Sequence, residues 1–137
     1  MSTGRNRRAV IAGVLLVVVL TGMESVAVFA ADVKIAKEHA AEMVKHAKEM
    51  VSHGKAEHLD VLSEHAEGMI NYAKTTLENL PEDNPHAKQA AEHINTAIAE
   101  AEEAQEHGNA GHADVAMQHA EAALKHAKEA QSHVKGL

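Results

Sequence analysis

The stretch HGKAEHLDV, residues 53–61, recurs as HGNAGHADV at residues 107–115, an offset of 54 positions. The match continues downstream, where HAE at residues 65–67 corresponds to HAE at residues 119–121. Each copy places a glycine directly after a histidine, a position at which helices commonly end. The repeat therefore predicts two helical hairpins, each with its turn at one of these glycines.

Outward from the two turns, strong helix formers such as Ala, Glu, Lys and Leu dominate the sequence. The one further break is PEDNP at residues 81–85, a double-proline turn that no helix crosses. The short links at Gly54 and Gly108 make helices 1 and 2, and helices 3 and 4, antiparallel neighbours. The sequence thus predicts an all-α fold, an antiparallel four-helix bundle built from two duplicated hairpins. A rod of two long helices, or an oligomer of hairpins, is the alternative. The predicted helices are Asp32–His53, His58–Asn79, Pro85–His107 and His112–Val134.

Residues 1–30 differ from the rest of the chain. Three arginines precede an apolar run from Ala9 to Leu20, and Val28-Phe29-Ala30 closes the stretch. This layout predicts a secretory signal peptide cleaved after Ala30, and an exported helical bundle formed by residues 31–137. A retained membrane anchor is the alternative, but the apolar core of about 15 residues is shorter than the roughly 20 that span a bilayer. The pair Arg7-Arg8 leaves Sec and twin-arginine export both open.

The charge balance of residues 31–137 favours cations as partners. This segment has ten lysines, no arginine and nineteen acidic residues, a net charge near −9 with neutral histidines. Such a balance argues against nucleic acid and against an anionic membrane surface once the signal is removed. The chain has no cysteine, which excludes thiolate metal sites, c-type haem attachment and a cysteine nucleophile. We expect a monomer whose partners are metal ions; the sequence names no protein partner.

The number and spacing of the histidines give the strongest indication of function in the sequence. All twelve histidines lie in residues 31–137, and within each predicted helix they are spaced by seven residues or a multiple of seven. Tyr72 and Glu100 occupy two positions of the series where histidine would be expected. The candidate metal ligands are His39, His46, His53, His58, His65, His86, His93, His107, His112, His119, His126 and His133.

The position of this stripe on the helices determines where ions could bind. The residue three before each histidine is usually apolar and the next residue is commonly alanine, so the stripe lines the edge of the buried face. In antiparallel pairs such edges meet at alternate interfaces, either 1/2 with 3/4 or 2/3 with 1/4. Residues seven apart on one helix are about 10.5 Å apart, whereas a metal–imidazole bond is about 2 Å. One ion therefore needs histidines from two helices, or a histidine with a carboxylate.

Several sites of unequal affinity are expected. If the two turns share one end of the bundle, four imidazoles meet there, and we rank this turn cluster as the best site. The next layers would hold His46, His65, Glu100 and His119, then His39, Tyr72, His93 and His126, with His86 and His133 near the far end. Candidate carboxylate ligands within one turn of a histidine include Glu42, Glu49, Glu103 and Glu129.

Twelve imidazoles that share one heptad position within their helices indicate a role for imidazole chemistry, either metal ligation or protonation near pH 6.5. We favour metal; a structural or pH-responsive helical envelope protein is the alternative. No enzyme is expected, because the chain lacks His-Glu-x-x-His, a phosphate loop and a serine nucleophile elbow, and no glutamate lies three before any histidine. The methionines at apolar positions are expected to fill the core; they are Met43, Met50, Met69 and Met117.

The signal peptide, the KHAK segments at residues 45–48 and 125–128 and the two His-Gly-x-x-x-His turns resemble the small metal-binding protein family of bacterial periplasms. The resemblance covers residues 31–137. It implies a four-helix bundle that takes up several divalent metals, copper foremost, with a link to copper handling. Tyr72 and Glu100 depart from the pattern and are in doubt as ligands. By the Irving–Williams order, imidazoles bind Cu²⁺ most tightly, followed by Ni²⁺ or Zn²⁺.

Overall fold

The computed structural model describes residues 21–137, and this part of the chain forms four α-helices joined by short loops. The predicted helix ends are correct to within two residues, except that the first helix begins before Asp32. The four-helix architecture predicted from the repeat is therefore confirmed. The helices are α1 (Thr21–Lys55), α2 (Leu59–Glu78), α3 (Pro85–Asn109) and α4 (Ala113–Lys135).

The start of α3 follows from its local sequence. Pro85 is the first helical residue, where a missing backbone N–H costs nothing. The Asn84 side chain caps the helix by accepting from the backbone N–H groups of His86, at 2.8 Å, and Ala87, at 3.4 Å. By contrast, His58 and His112 precede α2 and α4 without making a side-chain capping hydrogen bond. Their imidazoles are therefore not used to cap these helices.

The two hairpin turns share one design. The backbone N–H of His58 donates to the His53 carbonyl at 3.0 Å, and that of His112 donates to the His107 carbonyl at 2.8 Å. In each turn the residue before the second histidine has positive φ, +58° at Glu57 and +78° at Gly111. Glycine adopts this conformation without the steric cost that a Cβ atom brings. The first turn is thus more strained than the second.

The helices pack around a square. α1 packs against α2 and α4, and α3 packs against α2 and α4, whereas the diagonal pair α2 and α4 barely touches. The first hairpin is α1 with α2, and the second hairpin is α3 with α4. In the first hairpin the ring of His39 contacts Tyr72, and the ring of His53 contacts His58. The residue numbers increase along α1 where they decrease along α2, so these two helices are antiparallel. Both turns border one open hollow, which places them at the same end of the bundle.

The core is built mainly from alanine. Of the 23 apolar residues found buried in the part of the chain whose burial is described, residues 29–137, 15 are alanine, and these small side chains allow the helices to approach closely. The bulkier residues are concentrated in the first hairpin, and Met43, Met50 and Met69 are fully buried there, as predicted for core filling. The eight residues larger than alanine are Met43, Val44, Met50, Leu62, Met69, Ile70, Ile94 and Val134.

Residues 1–20, which hold most of the predicted signal peptide, lie outside the described residues. Thr21–Ala30 continue into α1, and cleavage after Ala30 stays a prediction. Across residues 21–137, every helix is too short or too polar to cross a membrane.

Candidate metal centres

The histidine stripes meet inside the two hairpins. Every imidazole or phenol ring pair found in residues 21–137 joins α1 to α2, or α3 to α4, or spans the turn between them. Of the two arrangements that the sequence left open, the structure thus selects interfaces 1/2 and 3/4. Nine of the histidines are half-buried, as expected for the edge of a buried face, whereas His58, His86 and His112 are exposed.

In the first hairpin the rings form one continuous zigzag between α1 and α2. Neighbouring ring centroids are 5.3–5.8 Å apart. Tyr72 stacks on His46 and meets His39 edge-on, so the phenol is a packing residue of the stripe. It also separates His39 from the other imidazoles. The order from the turn is His58, His53, His65, His46, Tyr72 and His39.

In the second hairpin the zigzag has two parts. Near the turn the order is His112, His107 and His119. Glu100 follows, with its Oε2 atom 2.7 Å from His119 Nδ1. The other part lies farther from the turn and consists of His126, His93, His133 and His86, with centroids 5.5–6.0 Å apart.

Three groups of side chains within residues 21–137 bring imidazole and carboxylate atoms close enough to share an ion. In each group, one ligand atom from each of two histidines and one glutamate lies within 4.8 Å of the others. Each group takes ligand atoms from both helices of its hairpin. This is expected, because histidines seven residues apart on one helix lie about 10.5 Å apart, too far to share one ion. The groups are Glu49–His53–His65, Glu103–His107–His119 and His93–His126–Glu129.

The His93–His126–Glu129 group has the closest donor atoms. Glu129 Oε2 lies 3.1 Å from His93 Nδ1 and 3.3 Å from His126 Nδ1, and the two Nδ1 atoms are 3.3 Å apart. Donor atoms that bind one ion at about 2 Å stand roughly 3 Å apart. The carboxylate therefore holds two imidazoles from different helices near the spacing that a metal needs.

The other two groups are repeats of one another. Glu49 lies 4.0 Å from His53 Nε2, and Glu103 lies 3.9 Å from His107 Nε2. Each glutamate precedes its histidine by four residues, which places the pair on one helix face. The opposing helix then supplies His65 in the first hairpin and His119 in the second.

The fourth neighbour of these two repeated groups differs. In the second hairpin Glu100 contacts His119 Nδ1, whereas in the first hairpin His46 Nδ1 lies 3.1 Å from His65 Nδ1. A Cβ atom at Gly68 would come within 2.7 Å of the His46 ring, so this glycine provides the space for the ring. A glycine inside a regular helical pattern can indicate that another group approaches the backbone closely. Gly68 was such an indication in the sequence, and the sequence analysis did not use it.

Burial lowers the pKa of His46 below its ordinary value of 6.5, and the positive charge that His65 can carry lowers it further. This imidazole is thus kept neutral, and a neutral ring retains a lone pair for an ion. Glu42 contacts Lys45 at 3.0 Å and raises the pKa of that lysine. The Glu42 carboxylate, one of the predicted ligands, is therefore directed toward a lysine.

The expected cluster of four imidazoles at the turns separates into two pairs. His53 and His58 have centroids 5.8 Å apart, and His107 and His112 have centroids 5.4 Å apart. No ring contact in residues 21–137 joins one pair to the other, because each stripe faces the partner helix of its own hairpin. Two of the three glutamate-containing groups lie next to the turns, the third lies farther away, and none of them includes His58 or His112. Histidines outside the three groups are His39, His46, His58, His86, His112 and His133.

The two hairpin interfaces of this helical bundle carry half-buried imidazoles with carboxylates beside them. These features define a class of histidine-rich metal-binding bundles. A family model described as "Small metal-binding protein" matches residues 8–103 and, a second time, residues 87–136. The chain belongs to this family, as the turns and heptads indicated. No curated protein gives a significant match.

Proposed function

We propose that this protein is a periplasmic buffer or scavenger of divalent transition metals that holds several ions per chain and prefers Cu²⁺. One observation carries the proposal: three groups of two imidazoles and one carboxylate lie at the hairpin interfaces with their donor atoms within 4.8 Å. Membership of a metal-binding family supports the same conclusion.

The donor chemistry supports Cu²⁺ as the preferred ion. Imidazole nitrogens with carboxylate oxygens bind copper, nickel and zinc, and Cu²⁺ is the tightest of these by the Irving–Williams order. Ni²⁺ and Zn²⁺ are the alternatives. The net charge near −9 of residues 31–137 adds a general attraction for cations.

The proposed location rests on the sequence of residues 1–30. Their basic start, apolar run and Val28-Phe29-Ala30 ending have the layout of a signal for export. We also propose that the protein holds ions without transforming a substrate. The three groups lie along half-exposed edges, where an ion can enter and leave from solvent.

Calorimetric titration with Cu²⁺ tests the proposal on protein expressed from its full sequence and purified without a polyhistidine tag. We expect uptake of several ions at pH 7 and strongly weakened uptake at pH 5, because protonated imidazole cannot bind a metal. The triple variant E49Q/E103Q/E129Q should bind more weakly. The control E64Q/E67Q/E121Q removes three exposed glutamates with the same charge change and should bind like the wild type.

The second candidate is a structural or pH-responsive helical protein. The lowered pKa of His46 favours it, because a ring that resists protonation in the fold promotes unfolding in acid. The same titration separates the two functions. Absence of Cu²⁺ uptake at pH 7, together with a melting temperature that falls with pH, would decide for the second.

A further inference from the structure

The two repeated groups form a natural comparison. Glu49–His53–His65 and Glu103–His107–His119 have the same residue types, come from equivalent helices and have similar glutamate–histidine distances of 4.0 and 3.9 Å. Their neighbours at the equivalent positions 46 and 100 differ, one an imidazole and the other a carboxylate. This substitution changes the chemical group that contacts the opposing histidine of each site.

Glu100 fixes the proton arrangement of His119. An ionised carboxylate only accepts hydrogen bonds, so the 2.7 Å contact requires the proton of His119 to lie on Nδ1. The lone pair of the neutral ring is then on Nε2, which points to the other side of the ring and is free for an ion. Glu100 is half-buried, with a side chain 29% exposed, so water competes only in part for this contact.

His46 cannot do the same for His65. The two Nδ1 atoms are 3.1 Å apart, and one proton between them can belong to either ring. When His46 holds that proton, the neutral His65 ring carries its own proton on Nε2 and cannot bind an ion through that atom. His46 also adds no negative charge to balance a bound cation.

We propose that Glu100 is a positioning residue that makes Glu103–His107–His119 the tighter of the two repeated metal sites. The inference rests on the proposed metal-binding function and deepens it. Carboxylates that hydrogen-bond the second nitrogen of a ligating histidine orient the ring and strengthen its bond to the metal. The histidine-to-glutamate change in the stripe is thus a gain for the site, although the sequence pattern presents it as a missing ligand.

Titration of the full chain with Zn²⁺, followed by NMR of the imidazole nitrogens, tests the proposal because Zn²⁺ is diamagnetic. In the wild type the signals of His119 should change at lower Zn²⁺ than those of His65. In E100L the affinity at His119 should fall by about 10- to 100-fold, and in E100Q, which keeps a neutral acceptor, by less. The control E102L removes an exposed glutamate on the same helix and should keep the wild-type order. The reciprocal variant H46E should move the His65 change to lower Zn²⁺.

The metal-free protein supplies a readout that a merely structural role would not change. The nitrogen shifts of His119 should report a proton on Nδ1 in the wild type and a mixture of the two tautomers in E100L, with the same melting temperature as E102L.

Four results would overturn the proposal. Simultaneous filling of His65 and His119 in the wild type, or an unchanged order in E100L, would remove the positioning role while metal binding stands. Loss of Zn²⁺ at His119 in E100Q with an unchanged tautomer would make Glu100 a direct ligand. Absence of any Zn²⁺ effect at His65 and His119 in the wild type would overturn the metal function of these groups together with the inference.

Discussion

The two hairpins share a turn sequence but differ in what their side chains supply. Among the residues that the structure describes, the first hairpin holds six of the eight buried apolar residues larger than alanine, and the second holds two. The first hairpin has five of the twelve histidines, and the second has seven. At offset 54, Leu62 corresponds to Ala116, Tyr72 to His126 and Thr75 to Glu129. The first hairpin thus supplies most of the core volume, and the second supplies more of the metal donors. Two hairpins of the same backbone design can thus divide stability and binding between them.

The largest expected effect concerns the core. The Leu62 side chain is fully buried, and L62A gives the first hairpin the residue of the second at this position. The variant should lose about 2–5 kcal/mol of unfolding free energy in the metal-free protein. Urea denaturation measures this loss. L124A, at a partly buried position of the second hairpin, should lose less. Equal losses would contradict the division of the core between the hairpins.

The second prediction exchanges a metal site between the hairpins. H126Y/E129T gives the second hairpin the residues of the first and should remove one bound ion per chain. The reverse change, Y72H/T75E, places donors beside His39 and should add one ion. Each occupied site adds about 2.7 kcal/mol of stability when the free ion is at one hundred times Kd. Calorimetric stoichiometry checks both variants, and Y72F/T75S is the control. An unchanged ion count in both exchanges would refute the assignment.

The third prediction is a pH dependence centred on His46. Because its folded pKa is lowered, the unfolded chain binds more protons than the fold between that pKa and 6.5. Stability of the metal-free protein should therefore be fully present above pH 6.5 and decrease as pH falls through this window. The groups that act on His46 are His65 and Tyr72 from α2 and Glu42, Lys45 and Glu49 from α1. Denaturation of the wild type and H46Q at several pH values should show a shallower slope for H46Q. Identical slopes would exclude His46 as a source of the effect.

The smallest effect concerns the turns. Glu57 has φ of +58°, where the second hairpin has Gly111 at +78°. Relief of this strain in E57G should stabilise the protein by up to about 1 kcal/mol, measurable as a rise in Tm. G111E should destabilise the second turn by a similar amount. A fall in Tm for E57G would show that the Glu57 side chain contributes more than its backbone conformation costs.

Much of the fold could be predicted because its determinants are local. Pro85 and Asn84 begin α3 through their own local chemistry, and the heptad gave the angular position of the stripe. Gly54 and Gly108 mark the turns correctly but lie one residue inside the ends of α1 and α3 without a positive φ, so they do not end these helices by the expected glycine conformation. The sequence could not decide whether the histidine stripes meet at interfaces 1/2 and 3/4 or at interfaces 2/3 and 1/4. A stripe at the edge of the buried face is compatible with a neighbouring helix on either side, and only the packing of the whole bundle determines which helix it contacts.

The detail of the sites lay beyond the sequence for a similar reason. Sequence spacing places Glu129 near His126, but only the packing of α3 against α4 brings Glu129 within 3.1 Å of His93. Glu100 was treated as a gap in the histidine series because the pattern cannot show which nitrogen of His119 a carboxylate would meet. The predicted meeting of four imidazoles at the turns does not occur, because each hairpin directs its imidazoles toward its own partner helix and not toward the other hairpin.

The central claim is that ions bind between the helices of each hairpin. Anomalous scattering at the copper absorption edge, from crystals of the Cu²⁺-loaded protein, locates every bound ion directly. We predict copper peaks between α1 and α2 near His65, and between α3 and α4 near His93 and His119. Copper found only on exposed carboxylates, or between α2 and α3, would contradict the claim.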